Sequence, residues 1–186
     1  PGLHGNHPGG NVHVGALLEE VGEPGLRIAG SGPGLQLQQH CGGGIGEGIA
    51  KRFAQEGAAV VVNDINAVAG ARVAQEIGAA GGRALFCAGD VGSDRDVAAL
   101  VRFALDGFGN LDIVVNNAGT THRNQPMLDV TEAEFDRIYH VNVKSLFLTA
   151  RHAVPHLRQK RNGVLITIAS TAGVRPRPGL TWYNGS

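Results

Sequence analysis

The stretch "HCGGGIGEGIAKRFAQEGA", from His40 to Ala58, carries residue types suited to a phosphorylated ligand. Glycines packed ahead of a helix let backbone N–H groups approach a pyrophosphate, whose charge then sits at the helix's positive end. A glycine cluster alone also reads as a flexible turn. Here a helical pattern follows it, then a strand ending "VVVND", with Asp64 placed 18 residues after Gly46. An acidic side chain at that distance, on the tip of a second strand, accepts both ribose hydroxyls and repels a 2'-phosphate. Asp64 therefore argues for NAD over NADP, the competing reading being an ordinary turn former after a strand.

Such groups need elements to position them. "AAVVVND" (58–64), "RALFCAGD" (83–90), "LDIVVNNAG" (111–119) and "GVLITIAS" (163–170) are short and rich in β-branched residues, as strands buried on both faces should be. Between them run the helical patterns "GEGIAKRFAQEG", "NAVAGARVAQEIGAAG", "SDRDVAALVRFALDGFG" and "TEAEFDRIYHVNVKSLFLTARHAVPHLRQK". The third opens on Ser93 as N-cap with Asp96 at the capping-box position, and Thr131 with Glu134 repeats that signature at the fourth. Strict alternation of strand and helix means βαβ units, and right-handed crossovers stack these into an α/β, Rossmann-type, doubly wound parallel sheet. This pattern spans residues 41–186. Residues 1–40, rich in Gly, Pro, His and Gln, keep no sustained apolar period and read as an irregular segment, with "GALLEEVGE" as a short helix of about two turns.

The totals narrow the partners. With 16 Lys plus Arg against 16 Asp plus Glu the formal charge is zero, which gives no electrostatic case for nucleic acid or an anionic membrane. A small-molecule partner is the default. Cys41 and Cys87 are the two cysteines; without a C-x-x-C pairing they make neither a zinc knuckle nor a disulfide framework, and a reducing cytoplasm fits. No apolar run reaches the roughly 18 residues of a membrane span, and "PGLHGNHPGG" lacks the regions of a secretory signal.

In order along the chain come "AGDVGS", "NNAG", "VNVKS" and "IASTAGVRPRPGLTWYNGS". With the glycine cluster, these motifs resemble the short-chain dehydrogenase/reductase family from about Gly42 to Ser186. The family's T-G-x-x-x-G-x-G motif places its last two glycines on Gly44 and Gly46, either side of Ile45. Its N-N-A-G element falls on Asn116, Asn117, Ala118 and Gly119, which the resemblance sets beside the cofactor on the central strand. Asp90 and Val91 take the place of the pair that binds adenine. The active-site asparagine, serine and tyrosine fall on Asn142, Ser170 and Tyr183, the last thirteen residues after the serine. The resemblance implies hydride transfer between NAD and a secondary alcohol or ketone, with NADP the less favoured cofactor, and homo-oligomers formed through the helices after the fourth and fifth strands.

The chemistry agrees with these roles. Reducing a ketone requires a hydride on carbon and a proton on oxygen, and the nicotinamide supplies only the hydride. A serine hydroxyl such as that of Ser170 can hold the carbonyl, and a phenol such as that of Tyr183 can pass the proton. Asn142, by the resemblance, positions a relay water. Free tyrosine titrates near pH 10, too high for efficient work near neutrality unless positive charge stands close. In the family that charge is the lysine of Y-x-x-x-K. Here Asn184, Gly185 and Ser186 follow Tyr183, so the lysine position lies one beyond Ser186. Lys144 and Lys160 are no obvious substitutes. Weak turnover by the 186-residue chain is the resulting expectation. The alternative reading is a catalytically incomplete fragment that binds at most a nucleotide or a partner chain.

The other end departs from the family too. Gln39 and His40 stand where it has threonine and the first glycine, and "GLQLQQH" offers Gln36, Gln38 and Gln39 where the innermost strand needs apolar residues. Burying unpaired amides costs about 1 to 3 kcal/mol each. The expectation is a shifted reading frame or a wrongly joined segment over residues 1–40, which source DNA with a continuous correct frame would refute. Elsewhere, His152 and His156 at helical i, i+4 spacing read as a solvated face rather than a metal site. "RQKRNG" complements a helix dipole. Arg175, Arg177 and Trp182, between serine and tyrosine, either touch substrate or form a proline-stiffened connector.

Overall fold

The computed structural model describes residues 15–19 and 44–186. Among the described residues five strands form one sheet in the order β3-β2-β1-β4-β5. They are β1 (Gly15–Glu19), β2 (Ala59–Asp64), β3 (Arg83–Ala88), β4 (Ile113–Asn116) and β5 (Val164–Thr167). Helices α1 (Ile45–Gln55), α2 (Ala67–Ala79), α3 (Asp94–Phe108), α4 (Glu132–Tyr139), α5 (Ser145–Lys160) and the single turn α6 (Thr181–Asn184) alternate with them.

The alternating side chains of β2 show why the sheet is doubly wound. Val60 and Val62 point to one face and pack with Ile49 and Ala50 of α1 and Val73 and Ile77 of α2. Val61 points to the other and packs with Leu100, Val101 and Ala104 of α3 and Ala153 and Leu157 of α5. Strand period and helix period thus meet on both faces. Four charges join α1 to α2 at the surface: Lys51 and Arg72 each bridge Glu47 and Glu76 at 2.6 Å. α3 ends on Gly109 at φ 79°, a left-handed cap that favours glycine.

Five expectations change. Part of "GALLEEVGE" is strand β1 rather than a short helix; a helix of two turns is marginal in water, whereas a strand between β2 and β4 pairs on both edges. That strand runs antiparallel to both neighbours, so the sheet is not wholly parallel, although β2 with β3 and β4 with β5 are. Glu19 pairs with Ala59, so β1 finishes where β2 begins. The outer strands are not buried on both faces: β5 alternates between half-buried and exposed residues, and both termini of β3 are exposed, because each pairs on one side among the described residues. The long fourth helix is broken by a π-helical turn, His140–Lys144, between α4 and α5. At α3, Ser93 caps the helix by accepting from the Asp96 N–H at 3.4 Å, but the Asp96 carboxylate accepts from the Asp90 N–H instead of closing a box.

The Thr131 capping box does close, with Glu134 reaching back to the Thr131 N–H at 3.0 Å. "GLQLQQH", Gln39, His40 and Cys41 lie outside the described residues, as does most of the segment 1–40. No helix among the described residues is long and apolar enough to cross a membrane.

Candidate active site

The carboxyl ends of β2, β3 and β4 and the start of α1 carry the residues expected to hold a dinucleotide. Gly44 caps α1 and Gly46 is buried in its first turn, with Ile45 between them. Asp64 ends β2, fully buried, its Oδ1 accepting the Asn66 N–H at 2.7 Å. Asn66 in turn caps α2 by accepting from the Ala69 N–H. Asn63 stitches the ends of β2 and β3 together, donating through Nδ2 to the carbonyls of Cys87 at 2.9 Å and Gly89 at 3.3 Å.

Asp90 and Val91 follow β3. The Asp90 carboxylate accepts the Gly92 N–H at 2.8 Å and lies 2.8 Å from His140 Nε2. Burial alone would raise its pKa, but the His140 and Gly92 bonds outweigh that and hold the carboxyl below its usual range. Asn116 ends β4, opposite Thr167 of β5, and its Nδ2 is buried with no hydrogen-bond partner among the described residues. Ala118 is half-buried and Gly119 exposed just beyond it. An orphaned donor at a strand's carboxyl end, beside an exposed glycine and a glycine-opened helix, fits a polar dinucleotide lying along this edge.

The π turn carries Asn142. Its Oδ1 accepts the Thr120 N–H at 2.8 Å while its Nδ2 donates to the Thr120 carbonyl at 2.9 Å. The same Nδ2 donates to Ser186 Oγ at 2.8 Å, and Ser186 donates to the Tyr183 carbonyl at 3.0 Å. One amide therefore ties the loop after the N-N-A-G element to the turn bearing Tyr183. Arg137 adds a second tie to that loop, donating to Thr120 Oγ1 at 2.6 Å and to the Thr121 carbonyl at 3.0 Å.

Ser170, just beyond β5, accepts the Ala172 N–H at 3.1 Å and caps the short turn Thr171–Gly173. α6, with Tyr183, packs against that turn and against α4. Asn184 clasps Arg177 from both sides, its Oδ1 accepting the Arg177 N–H and its Nδ2 donating to the Arg177 carbonyl. Trp182 turns toward α4, edge-on to Phe135 at 5.2 Å, and donates to the Met127 carbonyl. Arg175 and Arg177 are exposed on the connecting loop. Lys160 is held by Asp112, which precedes β4, and so sits at the opposite edge from Asn116. His152 is half-buried and bound to Asp94 at 2.9 Å, joining α5 to α3 rather than facing solvent freely. His156 is likewise half-buried.

Sequence reasoning missed His140, Thr120, Arg137 and Asn63. Their contacts cross between elements, and no spacing along the chain announces them. A single signal was available: His140 stands two residues before Asn142.

The sequence pattern of the short chain dehydrogenase family matches residues 40–186. The chain is similar to 4-formylbenzenesulfonate dehydrogenase of Comamonas testosteroni, 57% identical over 143 residues that cover 77% of this chain and 57% of the relative. It is also similar to 7alpha-hydroxysteroid dehydrogenase of Escherichia coli (strain K12), 40% identical over 145 residues covering 78% of this chain and 56% of the relative. Among solved structures, 3-ketoacyl-(acyl-carrier-protein) reductase from Brucella melitensis complexed with NADH superimposes with a TM-score of 0.71 at 46% identity, over 75% of this chain and 58% of that one. The 7alpha-hydroxysteroid dehydrogenase complexed with NADH and 7-oxo glycochenodeoxycholic acid gives 0.72 at 40% identity, over 76% and 55%. The chain thus spans a little over half the length of the relatives it matches.

Proposed function

This chain belongs to the short chain dehydrogenase family, and from that premise we propose that it is an NAD(P)-dependent oxidoreductase acting on a small secondary alcohol or its carbonyl. The observation that carries the reading is the Asn142 amide, which joins the loop after Gly119 to the Tyr183 turn. When bound, the nicotinamide supplies the hydride. Ser170 Oγ already accepts from the Ala172 N–H, which orients the hydroxyl and keeps its hydrogen for the carbonyl oxygen. Tyr183 passes the proton.

Gly44, Ile45 and Gly46 hold the pyrophosphate, Asp90 and Val91 the adenine, and Asn116, Ala118 and Gly119 the inner part of the cofactor. Asp64, at the end of β2, favours NAD over NADP, since a carboxylate at that strand tip opposes a second phosphate on the ribose. Val143 in the π turn and Phe147 in α5 are exposed, which supports self-association across this face. The free thiol of Cys87 is in keeping with a reducing cytoplasm.

The test is fluorescence titration with NADH and NADPH, followed by turnover on 4-formylbenzenesulfonate, a 7-oxo bile acid and a 3-oxoacyl thioester. NADH should bind more tightly than NADPH. At least one carbonyl should be reduced, and Tyr183→Phe should cut turnover about 10³-fold while leaving NADH binding intact. Failure to bind either nucleotide would sink the proposal. Binding without turnover on any carbonyl would favour the alternative, a nucleotide-binding chain without catalysis.

A further inference from the structure

Asp90 and His140 are 50 residues apart in sequence, yet His140 Nε2 lies 2.8 Å from Asp90 Oδ2. The other carboxylate oxygen accepts the Gly92 N–H, so both ends of the carboxylate are fixed. The intervening glycine has a steric reason. A Cβ on Gly92 would stand 2.1 Å from His140 Nε2 and 2.2 Å from its Cδ2, so any side chain there would displace the ring. His140 is also the first residue of the π turn that carries Asn142. One turn of backbone therefore grips the loop after β3 through a ring and the loop after β4 through an amide.

We propose that His140 is a positioning residue for the cofactor: it aims the Asp90 carboxylate at the adenine end of the dinucleotide and ties that end to the Asn142 turn. The inference rests on the reading of Asp90 as a cofactor contact. A carboxylate free to rotate would adopt its binding orientation only part of the time, and affinity falls by that fraction. The effect belongs to the adenylate half of the ligand alone.

The experiment measures dissociation constants of NADH and of the reduced nicotinamide mononucleotide, which lacks the adenylate, by fluorescence on the full chain. The proteins are wild type, His140→Phe, His140→Gln, Asp90→Asn and the double variant His140→Phe/Asp90→Asn. Phenylalanine keeps a flat ring against Gly92 and loses the donor; glutamine keeps a donor near the position of Nε2. His140→Phe should weaken NADH about tenfold, the size expected for one charge-assisted hydrogen bond, and change mononucleotide binding less than about twofold. His140→Gln should recover most of the loss, and the double variant should be no weaker than Asp90→Asn alone. Equal weakening of both ligands, no weakening of either, or additive losses would overturn the proposal. If His140→Phe does not fold, His140→Asn, too short to reach Asp90, takes its place with the same expected outcomes. Absence of NADH binding by the wild type would sink the oxidoreductase reading itself. Normal NADH binding by Asp90→Asn would remove the premise about Asp90. A selective loss in Asp90→Asn with none in the His140 variants would overturn the role of His140 alone.

Discussion

β2 and β5 look alike as text, "AVVVND" against "VLIT", and the molecule treats them differently. All six residues of β2 are buried, whereas β5 has half-buried and exposed residues and none fully covered. β2 has a strand on each side and helices over both faces. β5 pairs only with β4 among the described residues. Burial follows from what covers a strand, not from its own hydrophobicity. The consequence is a division of labour: the β2 side holds the apolar core, while the groups nearest the proposed chemistry are held by a few side-chain hydrogen bonds.

The largest expected effect would break this contrast if it failed. Val61 is fully buried against α3 and α5, and Val61→Ala should destabilise the fold by about 2 to 3 kcal/mol through lost burial and the cavity left behind. Leu165 of β5 is 38% exposed, and Leu165→Ala should cost less than about 1 kcal/mol. Urea unfolding of both variants measures the difference. Equal losses would mean that β5 is as deeply packed as β2.

The same contrast explains what could be read from the sequence. Strand and helix alternation, the Thr131 capping box and the Ser93 N-cap were legible because each is written in residues close along the chain. Neither β1 nor its direction was: "GALLEEVGE" reads as a short helix, and strand pairing and polarity depend on neighbours far away in sequence. The π turn also escaped: "HVNVK" continues the helical apolar period, and an inserted residue changes hydrogen bonding without changing that text. Of the candidate site, the individual residues were proposed from family-like motifs, each a short pattern along the chain. The clamp of Asn142 on Thr120 and the grip of His140 on Asp90 were not, because they join residues 22 and 50 positions apart.

Asn142→Ala sharpens the comparison from the catalytic side. It removes three hydrogen bonds, two to the Thr120 backbone and one to Ser186, but no apolar burial. Turnover should fall about 30-fold, or about 2 kcal/mol, as the Tyr183 turn loses its tie to the loop after Gly119. Stability should fall by only about 1 kcal/mol, because the Asn142–Thr120 bonds are part-buried and removal of the side chain admits water to the Thr120 backbone. A variant that loses stability as heavily as Val61→Ala would place Asn142 in the core rather than in the site. One that retains full turnover would show that the clamp does not position Tyr183.

The smallest effect belongs to the α1–α2 surface on the β2 side. Glu47 is bridged by Arg72 and Lys51, both at 2.6 Å. The hydrogen bond from Arg72 chiefly, opposed by burial and assisted by Lys51, holds its carboxyl below the ordinary value of 4.5. A carboxylate depressed in the folded state binds its proton more weakly there than in the unfolded chain. Its contribution is therefore complete above pH 4.5 and disappears as the pH falls through the folded value. Glu47→Gln should thus cost about 0.5 to 1 kcal/mol near neutrality, with the gap from wild type closing toward pH 3. Urea midpoints measured from pH 7 down to pH 3 follow that gap. A gap of constant size across the series would mean that Glu47 acts through packing rather than charge, and the bridges over the apolar core would then be ornaments of the surface rather than contributors to it.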